Sequence, residues 1–159
     1  DETGRIPDAE ELDASVPEEL KKRLIKVDGF NAFIVEKNIA ITQKDVRELQ
    51  NAKAAIAAGV RILVAQAGIR IEDIKKVFLA GGFGNYIDIE SALNIGLLPN
   101  ELRGRIESIG NAAGIGAIES LISGERFGKV QDIKAKMEYI ELSACAEFTD
   151  EYIENMMFE

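Results

Sequence analysis

Val77-Phe78-Leu79-Ala80-Gly81-Gly82-Phe83-Gly84-Asn85 is a short apolar run that stops at three glycines in four positions. Further along, Ile106 to Ile109 runs into Gly110-Asn111-Ala112-Ala113-Gly114-Ile115-Gly116-Ala117 and repeats the pattern. A buried strand that ends in bare backbone at the mouth of a helix lets a ligand meet main-chain N–H groups directly. Two such units side by side predict a nucleotide cleft at the carboxyl ends of a sheet. Either loop alone reads equally well as a tight strand-to-helix turn, with Phe83 as a core plug. In the ligand reading, Gly81 and Gly82 admit sugar and phosphates, and Phe83 or Tyr86 borders the base. Asn111 either reaches the ligand or caps its own helix, the commoner role of such a residue.

Neither loop has the G-x-G-x-x-G spacing of dinucleotide-binding folds, and the phosphate-clamping G-x-x-x-x-G-K-[ST] is absent. Acidic pairs such as Glu18-Glu19 and Glu72-Asp73 read as solvated or helix-start residues rather than catalysts. With 159 residues, 47% of them hydrophobic, the chain fits one domain burying about 70% of its unfolded surface. Its apolar runs fall well short of the roughly 20 residues that span a bilayer, and no leader opens it. The first residue is Asp1 rather than methionine, so a fragment of a longer protein is expected.

The single Cys145 cannot form an internal disulfide or ligate an iron–sulfur cluster, and reads as a small buried hydrophobe. The chain has no histidine, which removes histidine base catalysis and histidine-ligated metals. The default compartment is the cytoplasm. Of the net charge of −9, residues 1–20 contribute −7 and residues 140–159 contribute −6, while residues 21–139 carry +4. Acidic ends without a basic stripe argue against nucleic acid as a partner. An anionic small molecule suits the mildly positive middle.

Residues 1–14 read as an acidic linker or tail. Ser15-Val16-Pro17-Glu18 has capping-box spacing and predicts a helix with Leu20 and Leu24 on one face. Asp28-Gly29 turns the chain into strands at Phe30–Val35 and Ile39–Ile41. Thr42-Gln43-Lys44-Asp45 opens the longest helix, which runs to about Ala67 and is stopped by Gly68. Val46, Leu49, Ile56, Val60, Leu63 and Ala67 form its expected buried stripe, and Gly59 implies close backbone contact. Asp88 caps a short helix ended by Gly96, and Asn111 to Ile122 forms another ended by Gly124. A late strand is expected at Met137–Leu142 and a closing helix capped by Thr149. Strands alternating with helices predict an α/β fold with a largely parallel sheet in its second half.

At larger scale, Ile41 to Ile56 (ITQKDVRELQNAKAAI), Leu79 to Asn85, Asp88 to Pro99 (DIESALNIGLLP) and Gly110 to Ala117 closely resemble the carboxyl-terminal part of the reductive activators of corrinoid proteins. Tyr139 to Ser143 and Phe148 to Tyr152 are similar too, so the resemblance covers residues 30–158. It implies a partial ribonuclease-H-like, actin-like ATPase lobe of the ASKHA class, a mixed sheet with helices on both faces, over residues 15–159. In that class the adenosine motif lands on Gly81, Gly82, Phe83, Gly84 and Asn85. Gln50 and Lys53 match the helix that flanks adenine and ribose, and the helix after Gly110 and Asn111 matches one that links the lobes.

The implied function is ATP-dependent return of a corrinoid protein's cob(II)amide to cob(I)amide. The implied cofactors are ATP or ADP with Mg²⁺. The electron would arrive through an iron–sulfur cluster in an amino-terminal domain that this chain lacks. The resemblance also implies that the phosphate-side residues, including the hairpin of the second phosphate loop, lie outside the chain, which alone should show little ATPase activity. The alternative reading is a docking module of the same parent, or a homodimerisation module, with little nucleotide binding of its own.

Overall fold

In the computed structural model, which describes residues 3–158, the first α-helix is a single turn, α1 (Glu18–Lys21). The helix predicted to carry Leu24 does not extend that far. Leu24 instead opens a strand, β1 (Leu24–Val27), antiparallel to β2 (Phe30–Glu36). The turn between them explains the difference. Asp28 (φ 50°) and Gly29 (φ 82°) are both left-handed, the combination whose twist suits a two-residue hairpin. Pairing of Leu24 with Phe33 and of Val27 with Phe30 outcompetes a helix too short to be stable alone. β3 (Ile39–Thr42) pairs with the other edge of β2, with a bulge between Ile34 and Glu36.

The long helix, α2 (Gln43–Gln66), lies where its end signals place it. The Thr42 amide donates to Asp45 Oδ2 at 2.8 Å and the Asp45 amide donates to Thr42 Oγ1 at 3.2 Å, closing a capping box. Gly68 (φ +67°) follows the helix in the left-handed region. The buried face is not the predicted stripe. Gln50, Lys53, Ala54, Ala57, Ala58, Gly59 and Ile62 are buried, whereas Leu49, Ile56 and Leu63 are exposed. Small residues keep that face thin where the chain ends and Leu142 lie over it, and α2 packs most extensively against the helix at Phe148–Glu154, with β2 and β3 as lesser neighbours. At Gly59 no backbone comes close: a Cβ would lie 3.2 Å from Leu142 Cδ1, the tip of a side chain, in place of the backbone contact expected there.

The second half centres on β4 (Val77–Ala80) and β5 (Ile106–Gly110), paired in parallel with Val77 opposite Ile106 and Ala80 opposite Gly110. Between them run α3 (Gly81–Tyr86) and α4 (Ile89–Asn94). Asp88 caps α4 by accepting from the Ser91 amide at 2.8 Å. Ala92, Leu93, Leu97 and Leu98 then pack with Leu79, Ile87 and Ile106 into a core under the parallel pair. The described strands thus form two sheets, β1-β2-β3 antiparallel and β4-β5 parallel.

α5 (Ala112–Ile122) is followed at once by α6 (Gly124–Lys136). Gly124, expected only as a stop, is the first residue of α6, and Ser123 Oγ caps it by accepting from the Arg126 amide. Residues 137–141 form no strand. They lead instead into a 3-10 turn (Leu142–Ala144), with Glu141 accepting from Tyr139 Oη and Ser143 Oγ at 2.6 Å each. Such local side-chain bonds compete with a ladder. α7 (Phe148–Glu154) encloses Thr149 rather than being capped by it. Cys145 is half-buried, with Gln66 Nε2 at 3.4 Å from its sulfur.

The acidic start does not trail free. Gln43 clamps it in both directions, donating from Nε2 to Gly4 O at 2.8 Å and accepting at Oε1 from the Ile6 amide at 2.7 Å. Asn31 Nδ2 donates to Ile6 O at 2.9 Å. The whole chain nevertheless keeps 11,202 Å² accessible, against about 7,900 Å² for a compact 17.4 kDa monomer. It buries about 55% of its unfolded surface rather than the expected 70%.

Candidate functional site

Both parallel strands end on a left-handed glycine, Gly81 (φ +75°) after β4 and Gly110 (φ +61°) closing β5. A side chain at either would be strained. The turns are interlocked. The Ser108 hydroxyl donates to Gly84 O, and Asn85 Oδ1 lies 3.5 Å from where a Cβ on Gly110 would stand. The structure therefore brings Gly81, Gly82, Gly84 and Asn85 together with the start of the second loop.

Within the first loop the three glycines answer different demands. Gly81 is set by its backbone conformation. Gly84 is set by crowding, since a Cβ there would strike the Leu79 carbonyl oxygen. Gly82 is exposed, has no positive φ, and its Cβ would meet nothing within 4 Å. Neither conformation nor packing within the chain accounts for it, and the space beside it is open to an outside group. Gly116 on α5 has the same character. The side chain of Phe83 lies outside the described part of the structure. Tyr86 is 91% exposed at the end of α3.

Asn111 caps α5, its Oδ1 accepting from the Gly114 amide at 2.9 Å. Gln50 and Lys53 lie one helical turn apart on the buried face of α2. Gln50 Nε2 donates to Thr3 O at 2.9 Å, and Arg47 Nη1 donates to Gln50 Oε1 at 2.8 Å. Lys53 Nζ donates to Met157 O and sits 5.5 Å from the centroid of the Phe158 ring. The contacts described for these two side chains run to the two ends of the chain rather than to the glycine loops. Arg47 is a site neighbour that the sequence reading missed, although its spacing of three residues from Gln50 makes the pair legible on a helix.

Among the described residues no three acidic or cysteine side chains gather as a metal site. No helix among them is long and apolar enough to cross a membrane.

Comparison with known proteins adds to this geometry. Residues 2–159 match the sequence profile of the family described as the C-terminal domain of RACo, the ASKHA domain. The chain is 45% identical over 122 residues to the corrinoid activation enzyme RamQ of Eubacterium limosum, a match covering 77% of this chain and 21% of that protein. It is 30% identical over 123 residues to the [Co(II) methylated amine-specific corrinoid protein] reductase of Methanosarcina barkeri, covering 76% of this chain and 23% of that one. Its fold superposes on a solved reductive activator for corrinoid, iron–sulfur protein with a TM-score of 0.78 and 34% identity, over 99% of this chain and 25% of that chain. The chain thus spans about a quarter or less of the length of these relatives.

Proposed function

We propose, from the premise that this chain belongs to the family of the C-terminal ASKHA domain of RACo, that it is the adenine-nucleotide-binding lobe of an ATP-dependent activator. In this reading the parent protein returns the cob(II)amide of a corrinoid protein to cob(I)amide. The observation that carries the proposal is Gly82, a bare residue next to two interlocked left-handed turns, with open space where a side chain would stand. Main chain at Gly81 and Gly82 would approach the sugar and phosphates of the nucleotide. Gln50 Nε2 and Lys53 Nζ, donors on α2, suit the acceptor atoms of base and ribose. The RamQ and Co(II) corrinoid protein reductase relatives support the reductive half of the reading.

Such a lobe acts by coupling rather than by bond-making chemistry of its own. Reaching a very negative cobalt potential requires a source of free energy. Different affinities for ATP and ADP in the open and closed states of a cleft supply it. For a one-electron step about 0.7 kcal/mol corresponds to 30 mV. Mg²⁺ would enter with the nucleotide phosphates, and an iron–sulfur cluster would belong to another part of the parent, since this chain has a single cysteine.

Calorimetric titration of ATP and ADP against the chain and its Gly82→Arg variant tests the site. Heat from the parent sequence and its loss in the variant are expected. Equal heats from both proteins would remove the pocket from Gly82. Absence of binding to either would favour the docking or dimerisation module.

A further inference from the structure

Gln50 and Lys53 are 0% and 1% exposed, as buried as the alanines beside them. A buried amide and a buried ammonium persist only where acceptors meet them. Among the contacts described, Gln50 donates to a main-chain carbonyl near one end of the chain, Thr3 O, and Lys53 to one near the other, Met157 O. The Phe158 ring lies beside the ammonium. The two segments also touch each other's surroundings. A Cβ on Gly4 would stand 2.6 Å from Gln50 Nε2 and 2.8 Å from Phe158 Cε2, so only glycine lets them close over α2. Arg47 holds Gln50 Oε1 and thereby turns the NH₂ toward the acceptor. A planar ring flanked by acceptors, set against an amide donor and a cation, is the chemistry that a purine nucleoside would present to the same two side chains.

We propose that the segments at Thr3–Gly4 and Met157–Phe158 are an internal occupant of the adenosine side of the cleft, which an adenine nucleotide must displace to reach Gln50 and Lys53. The proposal rests on the reading of those two residues as nucleotide-facing. Displacement exchanges like for like. Base and ribose acceptors replace the two carbonyls, and the base replaces the Phe158 ring, so these two contacts of the buried donors are exchanged rather than lost. An apolar ligand could not make that exchange. Because the occupant must open first, the apparent affinity is the intrinsic affinity multiplied by the fraction of time the face is uncovered.

Two measurements on the full chain decide the matter. In calorimetry, Phe158→Ala should bind ATP several-fold more tightly than the parent sequence. In amide hydrogen exchange of the parent sequence, ATP should speed exchange at Ile6, whose N–H is held by Gln43, and at Met156, whose N–H is held by Ile153 O. Equal or weaker affinity in Phe158→Ala, or unchanged or slower exchange at both amides with ATP bound, overturns the proposal. If ATP still binds the parent sequence and is lost in Gly82→Arg, the occupant falls and the nucleotide pocket stands. If ATP binds neither the parent sequence nor Phe158→Ala, both readings fall together.

Discussion

A methyl group placed at position 82 meets no atom within 4 Å, while at position 84 it strikes the Leu79 carbonyl. The two glycines should therefore separate cleanly in stability measurements. Gly84→Ala is expected to cost about 1–3 kcal/mol through overpacking against backbone, and Gly81→Ala about 1–2 kcal/mol through its left-handed conformation. Gly82→Ala should stay within about 0.5 kcal/mol of the parent sequence while weakening ATP binding. Urea unfolding paired with titration reads both quantities. A large stability loss at position 82 would mean that the fold, not a ligand, requires that glycine. The glycine loops were legible in sequence because their signal is local. The cover over Gln50 and Lys53 was not, since their partners lie 47 and 104 residues away.

Helix ends show how far local chemistry reaches. Thr42 and Asp45 start α2 as their spacing predicts, and Thr42→Ala should cost about 1 kcal/mol in urea unfolding. The Asp88 carboxyl is held below its usual aspartate range by hydrogen bonds from the Ser91 side chain and then its backbone amide. Asp45 is held low in the same way by the Thr42 amide and then its hydroxyl. A lowered folded-state value means that the folded chain binds these protons less readily than the unfolded one. Their contribution is present at neutral pH and is lost as pH falls through the usual aspartate range and below it. Unfolding midpoints should accordingly drop on acidification, and Asp88→Asn, which keeps a capping acceptor, should shrink that drop. An unchanged pH slope in Asp88→Asn would remove Asp88 from the effect. Signals that depend on pairing were harder to read. Leu24–Val27 became a strand because of its turn and its partner, residues 137–141 lacked a ladder, and α2 buried alanines rather than its leucines.

Over the whole molecule, the accessible area exceeds that of a compact monomer of this mass by about 3,300 Å². Apolar side chains on α5 and α6 share in that exposure: Ile118 and Leu121 are 60% and 86% exposed, and Phe127 and Ile133 are exposed too. Patches of this kind bind apolar dyes. The folded chain should enhance the fluorescence of an anilinonaphthalene dye at neutral pH, and the pair Ile118→Lys with Leu121→Lys should cut that signal without lowering the melting temperature. A lowered melting temperature would show that these side chains are held by packing within the chain.

The closeness of Gly4 to Phe158 carries one more consequence. A short peptide joining the two ends, with the chain reopened at the exposed turn at Lys37 and Asn38, should yield a circular permutant that still folds. The added linker would tether the segments that lie on α2, so the permutant should melt at a higher temperature and take up ATP less readily than the chain in its original order.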